Sequence, residues 1–205
     1  MTGVSVIDTR SRLLDAAEGV FAQHGYHQAR VDDIVAAAGT AKGTFYLYFP
    51  HKEAAFLAVV ERFTAALVAD VATAVTGTHG AAARLRAALE AGLDHFVRHP
   101  GLAQIFLVEA VGASDTVEAA RLTVHRTLAQ FIGEQAQLAR PDASTAEVLL
   151  YGEAVLGAVQ EVVVLWLAAE HDPVLLAETV PWLVDFCLRG LGLGRGDDGG
   201  GIRSA

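Results

Sequence analysis

Cysteine, methionine and lysine are scarce in this 205-residue chain, which has one, one and two of them. The single thiol, Cys187, excludes an intrachain disulfide and points to a reducing compartment, the cytoplasm. Set in Phe186-Cys187-Leu188, it is expected to be buried and inert. β-Branched residues nowhere alternate with polar ones over a useful length, so no strand signal competes with helix. Gly-x-Ser-x-Gly, Gly-x-x-x-x-Gly-Lys-Ser/Thr and His-Glu-x-x-His are all missing, and no enzyme activity, catalytic residue or cofactor is expected. His95 and His99 have metal-ligand spacing beside Asp94, but no second cluster accompanies them. A solvated helix face is the reading there, not a metal site. Acidic Asp8 and the lack of a long apolar run before Arg10 argue against a signal peptide.

Positive charge is also in short supply. The net charge is −9, and its distribution matters more than its size. Residues 1–55 carry five Lys/Arg against six Asp/Glu, a balance of −1, which leaves −8 for residues 56–205. Any binding of phosphate by the first segment must come from local placement of Arg10, Arg30, Lys42 and Lys52, not from a global basic field. Both lysines of the chain fall in this segment.

What is abundant is apolar sequence, 53% of residues, in helical periodicity. Turn signals at 76–80, 99–101, 112–115, 140–142 and 171–173 divide the chain beyond Lys52 into helices near 52–75, 81–98, 101–111, 115–138, 144–170 and 174–192. Phe56, Val60, Phe63, Leu67, Val71 and Val75 make one stripe; Leu85, Leu89, Leu93 and Phe96 make the next; Val117, Val124, Leu128 and Phe131 a third. The last two helices are apolar nearly all round, which calls for cover on every side and hence for a partner subunit. Pro181 should kink the last one or mark its start. Ala154–Ala169 is apolar enough to tempt a membrane assignment, but Gln160 and Glu161 near its middle favour a helix buried between subunits.

The most informative stretch is 12–56. In its first helix Leu13, Ala17, Val20, Phe21 and His24 share a face, and Gly25 is placed to supply a left-handed C-terminal cap. A second helix starts near Val31, with Asp32 and Asp33 in its first turn, and buries Val31, Ile34, Val35 and Ala38. Gly39 makes the turn and Thr40 is the N-cap candidate for a third helix. Phe45, Leu47 and Phe49 read as its buried residues. Lys42, Thr44, Tyr46 and Tyr48 face outward, and Gly43 allows close backbone approach. Ammonium, hydroxyl and aromatic groups on one short helix suit phosphates and base edges.

With the frame Arg12-Leu13-Leu14-Asp15-Ala16-Ala17, Phe21, Gly25-Tyr26, Val31-Asp32-Asp33-Ile34-Val35 and Lys52-Glu53, this spacing resembles the helix-turn-helix region of TetR-type bacterial transcription regulators. The resemblance implies an all-α fold of about nine helices: a DNA-binding domain over 1–52, a ligand-binding and dimerisation domain over 53–192, and a flexible tail over 193–205. It implies a homodimer through the last two helices, double-stranded operator DNA as a partner, and a small, lipophilic effector. Tyr46, Lys42 and Thr44 are then base-reading candidates, with Gly43 beside them; Arg30, Thr40, Tyr48, His51 and Lys52 are phosphate candidates. Polar and aromatic residues set in the apolar helices, Phe63, Leu67, Phe96, Gln104, Glu109, His125, Tyr151, Gln160 and Trp166, are the effector-pocket candidates. Two departures stand out. Ala29-Arg30 replaces the usual hydroxyl N-cap of the second helix, worth roughly 1 kcal/mol, and His51 replaces a small polar residue. The other reading of the whole is a helical dimer that binds ligand or protein without reading DNA.

Overall fold

In the computed structural model, which describes residues 6–169 and 173–193, every regular element is helical. Among those residues the order is α1 Val6–Gln28, α2 Val31–Ala38, α3 Lys42–Tyr48, α4 Lys52–Val75, α5 Ala81–Arg98, α6 Pro100–Gln104, α7 Asp115–Ala139, α8 Thr145–Ala168 and α9 Pro173–Gly190. A π-helical turn, Ile105–Glu109, continues α6. The expected tail beyond Leu193 and the turn at 171–172 lie outside the described residues.

Two of the three apolar stripes fold as the periodicity dictates; on α7 only Val117 is buried, while Val124, Leu128 and Phe131 are half-buried. All six stripe residues of α4 and all four of α5 are buried. Serines open the two long helices of the body. Ser114 accepts from the Val117 amide at 3.3 Å, and Ser144 forms a reciprocal capping box with Glu147. The tightest packing joins α7 to α8. A Cβ on Gly152 would lie 2.1 Å from the Ala129 carbonyl oxygen, and one on Gly133 2.7 Å from that of Val148, so only glycine permits this approach. Helix α8 is long and apolar enough to cross a membrane by length and composition, with a mean hydropathy of 1.7. Its caps, its glutamates and its packing against α7 and α9 account for it without a bilayer.

One side of α8 and α9 remains uncovered. Leu150, Leu165, Trp182 and Phe186 are all more than half exposed, and the last two rings stack at 5.3 Å. Pro181 sits inside the continuous helix α9. Cys187 is buried, and desolvation pushes its thiol pKa up to about 11.

Four local expectations are corrected. Gly25 ends the first stretch of α1 at a positive φ, as expected, but not as a left-handed cap. Its φ of 70° and ψ of 166° break the helix, and one further turn follows before Gln28. Thr40 does not cap α3: Ala41 holds that position, with no side-chain cap. His24 leaves the apolar stripe and is exposed. Nor is His95 solvated. It is 1% exposed, its Nδ1 2.7 Å from Asp70 Oδ2 and its ring against Phe63.

A candidate DNA-reading face and the cavity behind it

Helix α3 is seven residues long, too short to be stable alone, and is held by what it buries. Phe45 and Phe49 enter the core of the head, their centroids 5.5 Å apart. The residues between them are thereby turned out. Tyr46 is 49% exposed and Leu47 82%, so Leu47 is not the buried residue the sequence suggested. Gly43 is exposed beside them with open space at its Cβ position. Thr44 and Tyr48 are half-buried. Gly39, with φ of 60° and ψ of 43°, turns the chain from α2 into this helix.

The cations around this face have different duties. Lys42 Nζ is 2.7 Å from Asp32 Oδ1, and that hydrogen bond holds its pKa above the ordinary lysine value. Both groups are exposed, so the pair is easily exchanged for another anion. Arg30 is the N-cap residue of α2. Its side chain caps nothing, and the Asp33 carboxylate accepts its N–H at 3.2 Å instead, partly replacing the missing hydroxyl cap. His51 Nδ1 accepts from the Ala54 amide at 3.2 Å and so caps α4, which places the ring proton on Nε2. Arg12 donates to the Ala38 carbonyl at 2.7 Å and closes α2. Arg10 lies over the Phe49 ring.

Lys52 is the main correction. Its Nζ donates to the carbonyls of Tyr26, Ala29 and His27 at 2.6, 3.1 and 3.4 Å. Three acceptors occupy all three donors of an ammonium group, which leaves none for a phosphate. Desolvation in this setting lowers its pKa.

Behind the head, α4, α5, α7, α8 and Phe106 of the π-turn enclose an apolar cavity of ≈ 50 Å³. Leu67, Phe96, His125 and Gln160 of the expected pocket residues line it. His125 and Gln160 are its only polar walls. Gln160 Nε2 lies 3.3 Å from His125 Nδ1, and His125 Nε2 lies 2.6 Å from Glu153 Oε2. One tautomer satisfies both contacts: the ring accepts from the amide and donates to the carboxylate. The space holds a few waters, far below the ~300–1,000 Å³ of sites for drug-sized ligands. An occupant must push walls apart.

The profile of the family described as "Bacterial regulatory proteins, tetR family" matches residues 13–59, the segment from the core of α1 into α4. Over this segment the chain is similar to the TetR family of bacterial regulators. Curated relatives are similar over part of the chain. The transcriptional activator FasR of Mycolicibacterium smegmatis is 41% identical over 92 residues, 45% of this chain and 42% of its own length. The fatty acid metabolism regulator protein of Bacillus subtilis is 52% identical over 42 residues, 20% of this chain and 22% of its own. The matched stretches thus span less than half of these relatives. Solved structures extend the likeness to the whole fold. FadR of Bacillus subtilis, crystallised with stearoyl-CoA, superposes with a TM-score of 0.78 at 20% identity, covering 88% of this chain and 98% of that one. FadR of Bacillus halodurans gives 0.76 at 24%, with the same coverage.

The other pocket candidates point elsewhere. Phe63 lies one ring back, 5.8 Å from Phe106. Tyr151 receives the Arg140 guanidinium at its hydroxyl and over its ring. Trp166 is buried in α8 away from the cavity wall, and Gln104 is half-buried at the end of α6. Glu109 turns from the cavity toward α1, where its Oε2 accepts the Tyr26 N–H at 3.3 Å. Among the described residues no cluster of three or more metal-ligating side chains forms around His95 and His99 or anywhere else.

Proposed function

We propose that this chain is a ligand-responsive transcriptional regulator of the cytoplasm that represses by binding a palindromic operator as a homodimer and is released by a lipophilic effector. The observation that carries the reading is α3: two buried phenylalanines turn Tyr46, Leu47 and Lys42 outward on one short helix fixed at both ends. Such a face fits a major groove, where hydroxyl, ammonium and apolar groups meet base edges, thymine methyls and phosphates. Tyr46, Leu47, Lys42, Thr44 and Gly43 form the reading set; Arg30, Tyr48, Thr40 and the Nε2 of His51 are placed for the backbone. The exposed apolar side of α8 and α9, with Trp182 stacked on Phe186, supports pairing of two copies there.

The effector enters the cavity in this reading. Its walls carry no lysine or arginine, only His125 and Gln160 among apolar groups, so the buried part of the ligand is an uncharged chain or ring system. The stearoyl-CoA in the FadR structure is the natural first probe, because its hydrocarbon tail has that chemistry. Selection from a random DNA library, with Tyr46→Ala beside the wild type, tests the reading. Recovery of an inverted repeat by the wild type alone supports it; no enrichment at low salt sinks it in favour of a helical dimer that does not read DNA.

A further inference from the structure

The break in α1 is held from two sides. Gly25 takes a positive φ, and the turn after it closes with the Ala29 N–H on the Gly25 carbonyl at 3.2 Å. At the start of that turn Glu109 accepts the Tyr26 N–H, and its carboxylate covers the Gly25 Cα, with oxygen 3.0 Å from where a Cβ would sit. At the end of the turn Lys52 binds the carbonyls of Tyr26, His27 and Ala29. An anion at the amino end and a cation at the carbonyl end are the arrangement the peptide dipoles favour. Ala29 leads directly into Arg30 and α2, so this turn sets where α2 starts within the head.

The two clamps come from different places. Lys52 is the first residue of α4, at the base of the head. Glu109 belongs to the body and ends the π-turn, whose register is fixed by the Ala110 N–H on the Ile105 carbonyl at 2.7 Å. Three residues earlier on the same turn Phe106 is a wall of the cavity. Helix α6 also touches α1 at its other end, where a Cβ on Gly101 would fall 2.8 Å from Ala22 Cβ. Phe106 and Glu109 thus share five residues of π-helix, a wide-turned element often found at functional positions, with one side chain in the cavity and the other on the head.

We propose that Glu109 is the positioning residue through which cavity occupancy is passed to the DNA-reading head, by holding or releasing the turn at Gly25 and Tyr26. This rests on the reading of the cavity as the effector site. An occupant larger than ≈ 50 Å³ displaces Phe106, carries Glu109 off Gly25 and leaves the Tyr26 N–H without its acceptor. The turn loosens and α2 and α3 lose their fixed orientation. The coupling is reciprocal: DNA that holds the head in place holds Glu109 in place too, and so opposes filling of the cavity.

Hydrogen exchange at the amides of 26–29 and affinity for the library-selected operator test this in wild type, Glu109→Gln and Asp15→Asn, each with and without stearoyl-CoA. Glu109→Gln keeps the shape and an acceptor oxygen but removes the charge, which weakens the hold on the Tyr26 N–H to that of a neutral acceptor. Without any ligand it should exchange faster at 26–29 and bind the operator about tenfold more weakly, within the usual span of allosteric coupling. Stearoyl-CoA, which should weaken the wild type's operator binding by a similar factor, should then shift the variant little. Asp15→Asn breaks the surface pair with Arg62, another link between α1 and α4, and should leave exchange and coupling as they were. Gly25→Ala, which forces the break out of its positive φ, should behave like Glu109→Gln. Exchange at 26–29 and operator affinity unchanged in Glu109→Gln would overturn the proposal. If stearoyl-CoA fails to bind the wild type, the effector chemistry is wrong, and the ligand-free comparison still decides for or against Glu109.

Discussion

Lys52 Nζ lies 2.6 Å from the carbonyl oxygen of Tyr26 and 4.5 Å from the centre of the same residue's ring. One ammonium group therefore closes the end of α1 and packs on the aromatic group that joins Phe21 and Phe56. Lys52→Met should cost about 2 kcal/mol of stability, the scale of hydrogen bonds to a charged group, and lower DNA affinity as a consequence. Thermal melting monitored by circular dichroism reads the first effect. A variant that melts like the wild type would return Lys52 to the phosphate contacts.

Lys42 and Leu47 should behave in the opposite way, because neither supports the fold. Leu47 is 82% exposed, and Lys42 is tied only to an exposed aspartate. Leu47→Ala should lower operator affinity roughly tenfold, the worth of burying most of a leucine against DNA. Lys42→Ala should weaken all DNA sequences alike and reduce the salt dependence by about one phosphate contact. Both proteins should melt and dimerise unchanged; a loss of melting temperature in either would place that residue in the core.

Gly152→Ala should be among the most damaging one-carbon changes in the body. The added methyl would meet the Ala129 carbonyl oxygen, main chain that cannot rotate away. A cost of about 1–3 kcal/mol is typical when a packed interface is forced apart. Gly157→Ala on the same helix has no atom within 4 Å of the new carbon and serves as the control. Equal urea midpoints for the two variants would show that α7 and α8 are packed less closely than described.

The Asp70 carboxyl is held below the ordinary value of 3.8, first by its hydrogen bond with His95 and then by Arg98. A carboxylate with a depressed folded-state pKa stabilises above its unfolded value, and this contribution fades as pH falls through the folded one. Asp70→Asn should therefore lower stability at neutral pH, with the gap from the wild type narrowing as pH drops toward and below 3.8. Urea titrations at pH 7 and pH 3.5 measure it. A gap that stays constant or widens on acidification would remove Asp70 as its source.

Much of what depended on neighbours within one or two turns was legible in the sequence. The stripes of α4 and α5 and the inward pair Phe45 and Phe49 are local patterns, and each folds as read. What escaped involves partners far apart in sequence. Lys52 looks like a surface cation until Tyr26 arrives from 26 residues away, and Glu109 looks like a pocket acid until its partner proves to be the amide of that same Tyr26, 83 residues off. Leu47 was misjudged for a different reason. An apolar residue between two buried aromatics reads as core, yet a seven-residue helix has only one buried side and the phenylalanines fill it. Tyr151 and His95 show the same limit: one is captured by Arg140, the other by Asp70, and neither side-chain pair has a signature in the chain.

The glycine contacts between α7 and α8 have a mechanical consequence for the cavity those helices help to wall. With main chain resting on main chain at Gly133 and Gly152, that side is incompressible and has no slack to yield to a guest. Side chains alone line the opposite wall, where Leu67 and Val71 on α4 and Phe106 on the π-turn meet the same space. Strain from anything that swells the cavity is thus delivered away from the paired long helices, onto α5 and onto α4 and the π-turn, both of which touch α1.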